Sequence, residues 1–243
     1  MSDTAASHVI VDLDAYAHNL GVVRRFTEGK AGIIAVIKAD AYGHGLLPVG
    51  RKALAAGVRM LAVATIDEGI ALREAGIRAP ILVMVQPLPE ALEAVLEYDL
   101  TLMVSDVSTA ERLGELAQRA RRVVSLHCKI DTGMGRQGFD VATASEDLQY
   151  LTRISHIDIE GIATHFPVAD LPEDPYTYNQ IKVFKQLLKR LDRHGIPYEM
   201  AHAANSAAIV HYKDSIFDMV RPGLITYGVW PTDTPPANSL IKR

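Results

Sequence analysis

Apolar runs of strand length recur along this chain, with a helical stretch between each and the next. Gly32-Ile33-Ile34-Ala35-Val36-Ile37, ending at Lys38, is the clearest. A short, continuous run rich in β-branched residues describes a strand buried on both faces. Similar runs follow at Met60 to Ala64, Ile81 to Val85, Asp99 to Val104, Arg122 to Ile130, Ile157 to Ala163, Pro197 to Ala201 and Phe217 to Val220. Helical patterns fill the intervals. Leu46 to Ala56 stops at Gly57, and the next helix begins at the capping box Thr65-Ile66-Asp67-Glu68. Pro89 to Glu97, Ser105 to Gln118 and Ala142 to Arg153 follow, then Tyr176 to His194 with an apolar stripe at Ile181, Phe184, Leu187, Leu188 and Leu191. Ahead of all these, His8 to Leu13 reads as a short strand, and Asp14 as the N-cap of a helix reaching Phe26. Leu224 to Tyr227 reads as a last strand-like segment.

This alternation specifies an α/β fold, and by itself it leaves a doubly wound sheet and a barrel both open. The polar residues favour a TIM (β/α)8 barrel. Lys38, Asp131, Arg136, His165, Asn205, Ser206 and Arg221 each fall just after an expected strand, and in a barrel those ends converge on one mouth. The length of 243 residues suits one such domain. Residues 1–230 are assigned to it, and 231–243, entered through the Pro-rich stretch Trp230 to Pro236, to a linker.

The net charge of -4, without a basic stripe, offers no case for nucleic acid. Cys128 is the only cysteine, which excludes an internal disulfide and fits a reducing compartment. Met1 to Ser7 has neither the basic nor the apolar region of a signal peptide, and no apolar run approaches the ~20 residues of a membrane span. A soluble cytoplasmic protein with no membrane partner is expected, and no metal.

A lysine at the carboxyl end of a buried strand is costly unless its charge is paired or its pKa lowered, and a lowered pKa suits an amine that forms a Schiff base. Taken alone, Lys38 would read as a snorkelling side chain. The residues after it, Ala39-Asp40-Ala41-Tyr42-Gly43-His44-Gly45, closely resemble the pyridoxal phosphate attachment motif of bacterial alanine racemases. Four further segments match in order: Lys129-Ile130-Asp131-Thr132-Gly133-Met134-Gly135-Arg136, Thr164-His165, His202-Ala203-Ala204-Asn205-Ser206, and Arg221-Pro222-Gly223 with Tyr227-Gly228. Together they resemble the alanine racemase barrel domain from Asp12 to Gly228.

The resemblance implies pyridoxal 5'-phosphate held by Lys38, which also moves the substrate α-proton on one face. It places the phosphate at Tyr42, Ser206 and the backbone of Gly223, with Asn205 in the same cofactor-binding set; for Ser206, capping the following helix is a competing role. Arg221 would face the pyridine nitrogen, where a permanent cation makes the ring a poorer electron sink and favours racemisation. His165 would orient Arg221, although a lone histidine is more often a core residue. Arg136 would reach the cofactor's phenolic oxygen and the substrate carboxylate. Lys129 would be carbamylated and present a carboxylate to Arg136. The activity implied is two-base racemisation of L- and D-alanine, supplying D-alanine for peptidoglycan, with a homodimeric full-length form. In the family the second base is a tyrosine of a C-terminal β-domain, for which residues 1–243 hold no counterpart. A fragment or truncated form of low activity is therefore expected. The alternative is a stand-alone barrel that binds the cofactor as a carrier or regulator without racemising; a phosphate-binding barrel independent of pyridoxal phosphate is a third reading.

Overall fold

Along the strands, side chains alternate between two apolar cores. In the computed structural model, which describes residues 9–232 and 240–242, Ile34, Val36, Met60, Ala62, Leu82 and Met103 point inward and pack on one another. Their sequence neighbours Ile33, Ala35, Leu61, Val63, Ile81 and Val83 pack in the larger outer core with residues of the helices. This period of two, buried on both sides, is what the continuous apolar runs encode.

The strands are β1 (Gly32–Val36), β2 (Met60–Val63), β3 (Ile81–Val83), β4 (Thr101–Val104), β5 (Val124–Asp131), β6 (Phe139–Asp140), β7 (Ile157–Ala163), β8 (Met200–His202) and β9 (Met219–Val220). Eight of them, all but β6, pair in parallel and close into a barrel, with β4 joined to β5 and β9 to β1 through Gly32–Met219 and Ile33–Val220. The expected TIM barrel is the fold. The two-residue β6, which the sequence patterns did not mark, pairs with β5 at Ile130 and Asp131.

Helices Leu46–Ala55, Ile66–Glu74, Leu92–Glu97, Val107–Ala120, Ala144–Leu151 and Pro175–Arg193 lie where the periodicity put them. The capping box is formed, with the Thr65 side chain accepting from Glu68 N and the Glu68 carboxylate accepting from Thr65 N.

Three expectations fail. Residues 9–12 are not a strand, and His8 lies outside the described residues. The helix begins at Leu13, and its N-cap is Asp12, whose Oδ1 accepts from the amides of Asp14 and Ala15 at 2.9 Å each. A carboxylate two residues earlier than expected captures the free amides and starts the helix at Leu13, and Val9 and Ile10 ahead of it are exposed and pair with no strand among the described residues. Leu224–Tyr227 is a 3₁₀ turn, closed by Thr226 N to Gly223 O. Of the expected linker, residues 233–239 and 243 lie outside the described residues. Leu240 to Lys242 run against the first helix, with Asn19 exchanging two 2.7 Å hydrogen bonds with the Lys242 backbone.

Candidate active site

A cavity of about 690 Å³ opens at the carboxyl ends of the strands. Its wall includes all nine residues that the sequence singled out as site residues: Lys38, Tyr42, Lys129, Arg136, His165, Asn205, Ser206, Arg221 and Gly223. They come from five segments separated by up to 185 positions, and the barrel topology brings them together.

Lys38 lies two residues past the end of β1, after Ile37, and is half-buried in the wall, with no hydrogen-bond or ion-pair partner among the described residues. The chain then makes an unusual turn. Ala39, Asp40, Ala41 and Tyr42 all take left-handed backbone angles, with φ from 52° to 55°. Such a conformation costs roughly 1–2 kcal/mol for each L-residue, so the surroundings must hold it. Asp40 does part of this, its Oδ1 accepting from Leu46 N at 2.6 Å and its carbonyl from Gly45 N at 2.9 Å. The turn swings Tyr42 back over the mouth, where its ring packs on Tyr227, centroids 4.7 Å apart. Glycines are the residues that most readily allow such a turn, and two lie here, Gly43 and Gly45. Both do have positive φ, yet four non-glycine residues carry most of it.

Tyr42, Ser206 and Gly223 meet in one corner. A Cβ on Gly223 would lie 2.5 Å from the Tyr42 hydroxyl, so any other residue there must displace that hydroxyl. Ser206 Oγ accepts from the amides of Gly223 at 3.0 Å and Ile225 at 3.3 Å. The helix Ser206–His211 is capped by Asn205, whose Oδ1 accepts from Ala208 N while its Nδ2 donates to Phe166 O. The competing role of Ser206 as a cap therefore belongs to Asn205. The hydroxyl hydrogens of Ser206 and Tyr42 have no acceptor among the described residues.

Arg221 is buried, and burial lowers its pKa only to about 10, so it stays cationic at neutral pH. Its Nη1 donates to His202 Nδ1 at 2.6 Å and His202 O at 2.9 Å; its Nη2 donates to the carbonyls of Thr164 at 2.6 Å and Ala203 at 3.1 Å. Nε makes no bond among the described residues and remains for the cavity. His165 was expected to orient this guanidinium. Its Nδ1 is 3.5 Å from Nη2, a marginal contact, and the shorter bonds come from His202 and the carbonyls. Burial, with Arg221, Lys129, Arg136 and Lys38 nearby, pushes the His165 pKa down to about 3, which keeps its ring neutral. His202 was part of a quoted motif but was given no role; its place at the end of β8, facing inward, is the signal that marked it.

Lys129 and Asp131 sit on the same face of β5, as alternation requires, but they do not pair. Asp131 is occupied by the loop after it, accepting from the amides of Gly133 and Gly135 at 2.8 Å and Arg136 at 3.2 Å. Partial burial works against its charge, and these amides outweigh that and hold its carboxyl below the usual range. Gly133 and Gly135, at φ +133° and +69°, permit the tight return that brings Arg136 to the cavity. Arg136 is exposed and has no side-chain partner among the described residues. Lys129 is 3% exposed, and among the described residues its Nζ donates one hydrogen bond, to Ile130 O at 3.3 Å. Burial first, then the charges of Arg221 and Arg136, lowers its pKa from 10.5 to about 7, with Asp131 opposing. The cavity thus gathers four basic side chains against one carboxylate in its wall, the exposed Asp170, and Asp131 nearby is engaged by the loop amides.

Comparison with known proteins came out in one direction. The family profile described as alanine racemase, N-terminal domain, matches residues 11–231. The alanine racemase of Desulforamulus reducens is 39% identical over 236 residues, covering 96% of this chain and 63% of that protein. That of Halothermothrix orenii is 41% identical, covering 91% and 59%. Among solved structures, the alanine racemase of Clostridium difficile 630 in complex with cycloserine superposes with a TM-score of 0.88 at 38% identity, covering 91% of this chain and 61% of that one. The alanine racemase of Bartonella henselae with covalently bound pyridoxal phosphate has a TM-score of 0.85 at 26% identity, covering 96% and 65%. The chain therefore spans about six-tenths of the length of these relatives.

Proposed function

The chain belongs to the alanine racemase family, whose N-terminal domain it matches, and from that premise we propose that it binds pyridoxal phosphate at Lys38 and contributes one of the two proton-transfer groups that racemise alanine. The observation that carries this reading is the convergence of the nine residues on one cavity.

The residues present fit the cofactor. Two hydroxyls without acceptors, on Tyr42 and Ser206, meet beside Gly223, and an anion rich in acceptor oxygens satisfies both. The free Nε of the buried Arg221 suits a ring nitrogen that accepts a hydrogen bond. Lys38 lines the same cavity as the amine that would hold the aldehyde. When bound, pyridoxal phosphate supplies an aldehyde that captures amines and a conjugated ring that delocalises the electron pair left at the substrate α-carbon.

The chain's own residues do the rest. Lys38 Nζ takes up or returns the α-proton on one face, as a positioned acid–base group. Arg221 stays protonated at pH 7 and offers only N–H donors, so a ring nitrogen facing it would accept a hydrogen bond and stay unprotonated, which would limit how far negative charge is drawn into the ring. Arg136 pairs with the substrate carboxylate. Lys129, about half of it neutral amine at pH 7 where an exposed lysine is almost wholly charged, adds carbon dioxide, releases a proton and becomes a carbamate facing Arg136. Tyr42, the only tyrosine among the described residues of the cavity wall, is taken up by the anion corner in this reading, which leaves the group for the opposite face to come from outside this wall. Alanine as substrate, a role in supplying D-alanine for peptidoglycan in the cytoplasm, and a dimeric full-length form all belong to this proposal.

The test is borohydride reduction of the chain incubated with pyridoxal phosphate, followed by peptide mapping. The label is expected in the peptide holding Lys38 and disappears in Lys38→Ala. A label on Lys129, or spread over surface lysines, removes the assignment. Label at Lys38 without any racemisation, even in a form extended to the length of the relatives, would favour the carrier reading.

A further inference from the structure

Three buried or half-buried side chains take no part in the reaction proposed above, and they lie in a row. His127 of β5 and His202 of β8 are fully buried, and Glu160 of β7 is half-buried. His202 Nδ1 lies 2.6 Å from Arg221 Nη1, His202 Nε2 lies 2.7 Å from His127 Nδ1, and His127 Nε2 lies 3.3 Å from Glu160 Oε2. Glu160 lines a second cavity, of about 220 Å³, at the amino ends of β3, β4 and β5 beside Arg78, Arg122 and Ser125. The row therefore passes through the inside of the barrel from one end towards the other.

Donor and acceptor chemistry leaves a single arrangement. A guanidinium only donates, so His202 Nδ1 accepts and carries no proton. An imidazole keeps at least one proton, so that of His202 is on Nε2 and is donated to His127 Nδ1. By the same step the His127 proton is on Nε2, directed at the Glu160 carboxylate, which accepts. Every bond points from Arg221 towards Glu160, and both rings are neutral. Burial, followed by the Arg221 charge, holds His202 well below its ordinary value, in keeping with a neutral His202 ring, and the bond from His127 holds Glu160 below the usual carboxylate range.

The fold makes specific room for this row. Leu126 pairs with Ile159, but the next residue, His127, pairs with Gly161, which leaves Glu160 as the extra residue of a β-bulge. Ile159 and Ile162 both remain in the outer core, so the bulge frees Glu160 to reach His127. At Gly161 a Cβ would fall 2.7 Å from His127 Nδ1, closer than real Cβ atoms come. A strand of regular alternation with any larger residue at 161 would exclude the histidine.

We propose that Glu160 and His127 are positioning residues that act through His202 on Arg221, as a one-way hydrogen-bond relay along the barrel interior. The relay presents only acceptors to Nη1. All of the Nη bonds of Arg221 go to carbonyls and histidine rings, so no carboxylate touches it. The relay stands on geometry alone; its purpose, holding Nε towards a cofactor ring nitrogen, rests on the function proposed above.

Long-range ¹⁵N–¹H correlation spectra of the histidine-labelled full chain, without and with pyridoxal phosphate, test it. Both His127 and His202 are expected as neutral rings protonated on Nε2 at pH 7. Glu160→Gln keeps an acceptor and is expected to keep both tautomers and cofactor retention. Glu160→Lys replaces the acceptor by a donor, and is expected to move the His127 proton to Nδ1, disturb His202 in turn and weaken retention. A proton on His202 Nδ1, a doubly protonated ring in the unmodified chain, or unchanged tautomers in Glu160→Lys each overturn the relay. If Glu160→Lys fails to fold, the spectra of the unmodified chain still decide. Expected tautomers with no cofactor held at Lys38 would refute the functional reading and leave the relay in place.

Discussion

Replacing Lys129 with methionine removes a buried amine while nearly conserving volume. The depression of its pKa from 10.5 to about 7 corresponds to roughly 5 kcal/mol, at 1.36 kcal/mol per pH unit. At pH 7 the folded group is about half protonated, so the cost of burying it there is about 4 kcal/mol. The folded-state value lies below the unfolded one. Between about pH 7 and 10.5 the unfolded chain therefore holds a proton that the folded chain has released, and the stability of the unmodified chain rises with pH across that window. Urea unfolding from pH 7 to 10.5 in buffers free of carbon dioxide measures this. Lys129→Met is expected to be more stable at pH 7 by about 4 kcal/mol, with the gap closing by roughly 1.4 kcal/mol per pH unit and vanishing near pH 10.5. Adding bicarbonate at pH 8 should stabilise the unmodified chain through carbamylation and leave the methionine variant unmoved. Parallel pH curves for the two proteins, or a less stable variant at pH 7, would refute the reasoning that Lys129 is buried without a counter-charge.

Gly223→Ala would place a Cβ 2.5 Å from the Tyr42 hydroxyl and expel it from the anion corner; losing one hydrogen bond to a charged group is expected to weaken pyridoxal phosphate binding about 10- to 100-fold, by absorbance titration, with the circular dichroism spectrum unchanged. Thr65→Ala removes half of a formed capping box and should cost about 1 kcal/mol in urea unfolding without changing cofactor retention, which separates stability from site effects. Under the proposal that Lys38 serves one face only, the chain is expected to racemise L-alanine roughly 10²–10⁴-fold more slowly than a full-length relative, by coupled assay of D-alanine. Equal rates would mean that the second group lies within residues 1–243.

Periodicity was a sound guide wherever a pattern reports burial on both sides of a strand. The continuous runs at Ile33, Leu61 and Leu82 became barrel strands, and the stripe from Ile181 to Leu191 became the buried face of Pro175–Arg193. It was a poor guide at Val9-Ile10, an apolar pair that looked like a strand and is 89% and 83% exposed. Nothing local to that pair says whether another element will cover it. The choice between Asp12 and Asp14 as the N-cap was a matter of two residues, and side-chain reach to the free amides decided it.

The amino-acid sequence on its own determined the α/β alternation, the placement of chemically active residues at strand ends, and through its motifs the family. These are local facts, written in spacing and residue type, and they survive any arrangement of the barrel. Only the tertiary structure decided how those residues engage one another. The left-handed turn at Ala39–Tyr42 contradicts local preference and exists because Asp40 and the Tyr42–Tyr227 packing hold it. Asp131 was free to pair with Lys129 or Arg136 as far as alternation could tell, and loop amides claimed it instead. The bonds between His127, His202 and Glu160 join residues up to 75 positions apart. A hydrogen bond depends on distances of tenths of an ångström between segments, and those are set by how the strands close, not by any pattern within one of them.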